Sequence, residues 1–196
     1  MAAATARRQG GTDVLADWRG AAACERRQCK PDGYGSFVRS GVAYGFLLEY
    51  DRGTESARKY AAKFRAYYRY RDSGHAATDY EGFPTLLFVT TDATAEDRIV
   101  DQAYRAWFVR GTEALPVLVT TTRRISQHRE GILGPIWRSP AAAHTGNAEH
   151  VYWLPGGPAA GLHRRGGQLV PSPRLLWPTP RAVEVALRRP GLRVGG

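Results

Sequence analysis

The sequence has few of the residues that mark disulfide-rich, zinc-binding or membrane proteins. It contains only two cysteines, Cys24 and Cys29, in 196 residues. Two cysteines cannot staple a chain of this length, and neither has His or Cys neighbours at zinc-finger spacing. No apolar run is long enough to span a bilayer, and no apolar segment follows Arg7-Arg8 as it would in a twin-arginine signal. We therefore expect a reduced, soluble, cytoplasmic protein with no membrane partner.

Lysine is scarce, since Lys30, Lys59 and Lys63 are its only occurrences, whereas arginine is abundant. The 28 basic residues outnumber the 18 acidic ones and give a net charge of +10. Part of the arginine excess reflects a GC-rich genome, because alanine, glycine and proline are frequent too. An excess of this size still favours a polyanionic partner, and we expect nucleic acid.

Two further classes of nucleic-acid or nucleotide enzyme lack their motifs here. A rolling-circle relaxase needs a His-hydrophobic-His metal cluster beside a nucleophilic tyrosine. The histidines show no such spacing; they are His75, His128, His144, His150 and His163. No glycine-rich loop ends in Lys-Ser or Lys-Thr, which argues against nucleotide hydrolysis.

The apolar pattern predicts one α/β domain with a mixed central sheet and flanking helices. We expect residues 1–11 to be a disordered lead, residues 12–140 to form the domain, and residues 141–196 to be a loosely ordered tail. The tail is basic, and Gly and Pro interrupt most of its apolar runs.

Turn and cap signals divide the domain into elements. Pro31-Asp32-Gly33 is typical of a turn, and Ser40-Gly41 is typical of a two-residue hairpin connection. The expected helices begin at Thr12 and at Thr94, each as N-cap, and a third covers about 54–71; the expected strands are about 34–39, 42–50, 85–90 and 117–120. The last three strands should be parallel. Residues 132–137 should pack back on the core.

Four residues, from the Pro31-Asp32-Gly33 turn to the third expected helix, are candidates for a catalytic or metal-binding role. Asp32 lies at the mouth of the hairpin, and Glu49 follows an apolar run, where an acid is costly to bury without a partner. Asp51 shares a strand face with Glu49. Lys63 borders an aromatic stripe from which its long stem can reach a carboxylate. Two acids and a lysine are the parts of a metal-dependent phosphodiester hydrolase, but Asp32 could equally be an ordinary turn residue and Lys63 a structural ion pair.

Four segments carry a resemblance to a known family: Pro31-Asp32-Gly33, the stretch from Phe46 to Glu55, Lys63-Phe64 to Tyr67, and Phe83 to Val89. Over about residues 15–140 the chain resembles the replication-relaxation family of bacterial plasmid and mobile-element proteins. Members usually carry a winged-helix segment before the matching part. Only 31 residues precede Asp32 here, so we expect a shortened member.

The resemblance implies a core similar to restriction-endonuclease-like nucleases with a PD-(D/E)xK pattern. Asp32 would match the first acid and Glu49 the second, with Asp51 beside them as a further ligand for Mg²⁺ or Mn²⁺. The PD-(D/E)xK pattern has a lysine two residues after the second acid, and this chain has Asp51 at that position. Lys63, on the following helix, would supply that ammonium group and orient the attacking water. The implied catalytic residues are therefore Asp32, Glu49 and Lys63.

The resulting hypothesis is a DNA-binding protein of plasmid or mobile-element replication or transfer, with metal-dependent nicking as the activity that the resemblance implies. Phosphate contacts are expected from arginines, namely Arg58, Arg65, Arg69, Arg123 and Arg124. Most tyrosines should pack in the core. Two alternatives stay open: a DNA-binding module of the same fold without catalysis, and a truncated, inactive remnant.

Overall fold

The computed structural model describes residues 13–26, 29–39, 41–144 and 149–154, together with the backbone of 163–165 and 168–170. The expected lead at 1–11 and much of the expected tail lie outside the described residues. In the described part, no helix has both the length and the apolar composition that crossing a membrane requires.

The described chain alternates strands with helices. The strands are β1 Val14–Gly20, β2 Gly33–Arg39, β3 Val42–Tyr50, β4 Thr85–Thr90, β5 Val117–Thr121, β6 His163–Arg165 and β7 Gln168–Val170. The helices are α1 Ala21–Cys24, α2 Ala57–Asp72, α3 His75–Tyr80, α4 Ala93–Arg110, α5 Thr122–Gln127 and α6 Pro140–His144, with a 3-10 turn at Gly131–Leu133.

One five-stranded sheet in the order β1-β2-β3-β4-β5 forms the centre of the molecule. β1, β2 and β3 pair antiparallel, and β3, β4 and β5 pair parallel. Arg39 faces Val42 across the β2–β3 hairpin. The expected hairpin, the three parallel strands and the α/β class with a mixed sheet are confirmed.

The predicted helix from Thr12 is wrong, because Val14–Gly20 is a strand at the edge of the sheet. Val14 pairs with Val38, and Gly20 pairs with Gly33, so the segment draws its hydrogen bonds from β2. Directly after this strand, the short helix α1 covers Ala21–Cys24.

Two predicted helix starts are also displaced. Asp92 rather than Thr94 caps α4, since its side chain accepts a hydrogen bond from the Ala95 amide at 2.9 Å. Ser56 caps α2 in the same way through the Lys59 amide, so the helix begins three residues after Thr54. At the other end of α4, Gly111 adopts the left-handed conformation that is common for the glycine that ends a helix.

Each face of the sheet carries its own core. α2 and α4 pack against each other on one face, over a cluster that includes Leu47, Phe64 and Phe88. The other face carries Phe46, Leu133 and Trp137, so residues 132–137 pack back as predicted. Trp153, beyond the expected domain boundary at residue 140, is buried in the same cluster with its ring centroid 5.1 Å from that of Phe46.

Candidate functional site

The candidate site lies where the beginning of β2 meets the end of β3, beneath α2. Gly33 pairs with Leu48, so the antiparallel register places Asp32 beside Glu49. The Asp32 amide donates to the Leu48 carbonyl at 2.9 Å, and Asp32 Oδ2 accepts from the Tyr50 amide at 2.7 Å. Asp32 is exposed. It therefore extends the pairing of the two strands while its carboxylate stays open to solvent.

Glu49 is buried under α2, with 2% of its surface exposed. Lys63 Nζ donates to Glu49 Oε2 at 2.7 Å. The Tyr67 hydroxyl donates to Glu49 Oε1. Lys63 and Tyr67 are four residues apart on α2, so both reach down from the same side of the helix. Both oxygens of Glu49 are thus engaged by donors from one helix.

The electrostatics of the site reflect this burial. Burial raises the pKa of the Glu49 carboxyl above its ordinary value, although Lys63 and Tyr67 act in the opposite direction. Burial lowers the pKa of Lys63, but the negative charges of Glu49, Glu55 and Asp32 outweigh it, and the net pKa is raised. Asp32 also raises the pKa of Glu49, which places its charge within electrostatic reach of the pair.

Asp51 has a different set of partners. Its Oδ2 accepts from the Gly53 amide at 3.0 Å, from Thr90 Oγ1 at 3.3 Å and from the Tyr60 hydroxyl. Asp51 is buried, and its amide donates to the Val89 carbonyl at 2.9 Å. These bonds fix the chain between β3 and α2. They give Asp51 a structural role at the start of the helix.

The structure therefore brings Asp32, Glu49 and Lys63 together. Each oxygen of Glu49 accepts one hydrogen bond, from Lys63 or Tyr67, and Asp51 Oδ2 accepts three, so a divalent metal would have to share these oxygens with their present donors. Within the part of the chain that is described, no group of three or more His, Cys, Asp or Glu side chains could hold a metal ion. Binding of Mg²⁺ or Mn²⁺ stays a prediction.

Three of the five predicted phosphate-binding arginines share the outward face of α2. Arg58, Arg65 and Arg69 are exposed and occupy positions i, i+7 and i+11, which fall on one side of a helix. The sequence from Ala57 to Arg71 contains no acidic residue. We call Arg58, Arg65 and Arg69 the arginine stripe.

The other two predicted arginines lie beyond β5, on α5. Arg123 is exposed, and its Nε donates to Gln127 Oε1 at 3.3 Å. Arg124 instead forms an ion pair with Glu96, a fully buried acid in the first turn of α4. Arg138 binds the second oxygen of Glu96 at 3.2 Å. Arg124 therefore has a structural partner in the folded protein.

Sequence reasoning did not identify two parts of this network. The hydroxyls of Tyr60 and Tyr67 bind Asp51 and Glu49, although the spacing of these tyrosines indicated packing alone. Both tyrosines are buried, as predicted. The sequence also gives no indication of the ion pair of Glu96, because an acid in the first turn of a helix is favourable there without any partner.

Comparison with known proteins gives a family match. The model of the replication-relaxation family matches residues 2–87, and this confirms the resemblance over that part of the chain. The matched segment includes Asp32, Glu49, Lys63 and the arginine stripe, and it ends within β4. No curated protein and no solved structure matches.

Proposed function

We propose that this chain, through its replication-relaxation segment, binds DNA during the replication or transfer of a plasmid or mobile element, and that it does so without cutting the DNA. The family match supports a role in replication or in mobile-element processing. DNA binding and the absence of cleavage are the parts that we infer from the arrangement of side chains.

The arginine stripe is the observation that carries the proposal. From Arg58 to Arg69 the helix rises about 16 Å, a distance over which one strand of B-DNA presents about five phosphates. Each arginine could therefore meet a separate phosphate. The residues from Ala57 to Arg71 include no acid, so the arginines add their positive charge along one face of the helix. A positive surface of this kind favours a polyanion, and contacts to phosphates discriminate little between DNA sequences.

The engagement of Glu49 supports binding without catalysis. A carboxylate that already accepts from Lys63 and Tyr67 is held as the partner of an ion pair beneath α2, where it anchors the helix that carries the arginine stripe. In this arrangement Lys63 and Glu49 stabilise the DNA-binding helix. They are positioning residues rather than catalytic ones.

A binding assay tests the proposal. Fluorescence anisotropy with a labelled 20-base-pair duplex should give saturable binding by the parent protein and clearly weaker binding when Arg58, Arg65 and Arg69 are all changed to Ala. Arg129→Ala serves as the control, because Arg129 is an exposed arginine that precedes the 3-10 turn packed on the opposite face of the sheet. Equal affinity of the parent and the triple variant would contradict the proposal.

Metal-dependent nicking is the second candidate function, favoured by the position of Asp32 beside Glu49 and Lys63. Supercoiled plasmid incubated with the parent protein and Mg²⁺ or Mn²⁺ separates the two functions. We expect no nicked circles above the chelator control. Metal-dependent nicks that disappear in Asp32→Asn, with DNA binding retained, would support nicking and overturn the non-catalytic proposal.

A further inference from the structure

A group of stacked rings, of which Phe108 and His144 are exposed and Tyr104 is half-buried, lies on α4 and α6. Tyr104 stacks on Phe108 of the same helix, with ring centroids 6.1 Å apart and planes inclined by 22°. His144 at the end of α6 stacks on Tyr104, with centroids 3.4 Å apart and an inclination of 16°. Phe108 is 73% exposed. We call Tyr104, Phe108 and His144 the aromatic ladder.

Phe108 contributes little to the core. The apolar residues of α4 that the fold buries are Ala95, Ile99, Val100 and Ala103. Phe108 instead presents most of its ring to solvent, where it is held by contact with Tyr104. A large ring that presents most of its surface to solvent is suited to a stacking partner.

A positive charge accompanies the ring. Arg105 lies three residues before Phe108, so the two side chains are neighbours on the helix surface. The Arg105 side chain is 69% exposed and pairs with Asp101 at 2.8 Å. An exposed pair of this kind contributes at most about 1 kcal/mol, so a phosphate can compete for the guanidinium.

We propose that the aromatic ladder and Arg105 form a binding platform for single-stranded DNA, in which an unpaired base stacks on Phe108 and a phosphate meets Arg105. This inference rests on the proposed DNA-binding function and adds a strand preference to it. Bases of an intact duplex are already stacked on one another, whereas an unpaired base has a free face for an aromatic side chain. The platform should therefore act on single strands alone.

The size and charge of the surface favour a nucleotide over a protein partner. A stable protein interface buries about 800 Å² on each side. The exposed apolar residues at this end of α4 are Phe108 and Val109, which cannot supply such an area. The net charge of +10 favours a polyanion over a second copy of the same chain.

Anisotropy measurements on three variants test the proposal. Binding of each variant is measured with a labelled 20-nucleotide single strand and with the matching duplex, at the same salt concentration. Phe108→Ala should weaken single-strand binding by about 5- to 150-fold, the loss expected for one stacked base, and leave duplex binding unchanged. Phe108→Trp should retain single-strand binding. Val109→Ala is the control, because Val109 is 84% exposed and apolar but has no ring.

Equal single-strand affinities for Phe108→Ala and Val109→Ala would overturn the platform, and so would an equal loss of single-strand and duplex binding in Phe108→Ala. Sedimentation of each protein gives an independent check. A parent dimer that dissociates in Phe108→Ala would assign the ring to self-association instead. If duplex binding through the arginine stripe persists in these cases, the platform fails while the proposed function stands. If the parent binds neither strand form, the proposed function itself fails.

Discussion

Replacing Lys63 with Met tests whether the buried pair beneath α2 is a stabilising ion pair. Methionine keeps most of the length and the apolar stem of lysine but removes the ammonium group from Glu49 Oε2, which it contacts at 2.7 Å. Glu49 is 2% exposed, so water cannot take over the lost interaction. Tyr67 would be left as the donor to a buried carboxylate.

The expected loss is about 3 kcal/mol. Removing one partner of a buried ion pair costs about 3 to 5 kcal/mol, and the lower end applies because the Lys63 side chain is 27% exposed. For a protein of this size, 1 kcal/mol lowers the melting temperature by about 2 to 4 °C. Lys63→Met should therefore melt about 6 to 12 °C below the parent at pH 7.

The stability that Lys63→Met loses relative to the parent should be smaller at acidic pH than at pH 7. Burial raises the pKa of Glu49 above its ordinary value of 4.5, so the folded protein holds this proton more tightly than the unfolded chain does. The contribution of Glu49 to stability is therefore present below pH 4.5 and falls as the pH rises through the folded pKa. Removing Lys63 raises that pKa further, so Lys63→Met should differ less from the parent near pH 4.5 than at pH 7.

Thermal unfolding followed by circular dichroism at the two pH values measures both effects. Lys59→Met is the matched control, since Lys59 is exposed on the same helix one turn earlier. We expect the control to melt within about 1 to 2 °C of the parent at both pH values, because an exposed charge contributes little. A Lys63→Met protein as stable as the Lys59→Met protein at pH 7 would refute the reasoning.

Two further predictions concern other parts of the fold. Arg124→Ala should destabilise the protein by about 1 to 3 kcal/mol in chemical denaturation, since one oxygen of the buried Glu96 loses its charged donor while Arg138 keeps the other, and it should leave the salt dependence of DNA binding unchanged. A reduced salt slope would instead assign Arg124 to phosphate. Gly35→Ala should cost about 1 to 3 kcal/mol in the same assay, because its Cβ would overlap the ring of Phe46, which packs on Trp153. Unchanged stability would mean that the ring can move aside.

The parallel half of the sheet was predictable because its strands are continuous apolar runs between helices. Thr85–Thr90 was found at its observed bounds, since all six residues are buried and the run has no polar interruption. β1 was missed because the spacing of Val14, Leu15 and Trp18 fits a helix as well as a strand. The inter-strand hydrogen bonds of β1 are made with β2, which is distant in sequence, and the residue pattern within β1 does not indicate that pairing.

The candidate site was predictable in part for a similar reason. An acid directly after an apolar run needs a partner, and Lys63 was expected to reach a carboxylate, so burial cost indicated an ion pair but not whether Glu49 or Asp51 would form it. The hydroxyl of Tyr67 was not predictable, because helical spacing indicates burial but not the hydrogen bond at the ring's end. Arg124 was assigned to DNA because sequence does not show that Glu96, 28 residues earlier, is buried against it.

The salt dependence of duplex binding tests the central claim most directly. Association constants of the parent and of the triple Ala variant at Arg58, Arg65 and Arg69 would be measured by anisotropy from 50 to 200 mM salt. Each phosphate contact contributes about 0.9 to the slope of log K against log salt, so loss of three contacts should flatten the slope by about 2.7. Arg129→Ala should keep the parent slope. A triple variant with the parent's slope would show that the arginine stripe does not meet DNA and would contradict the account.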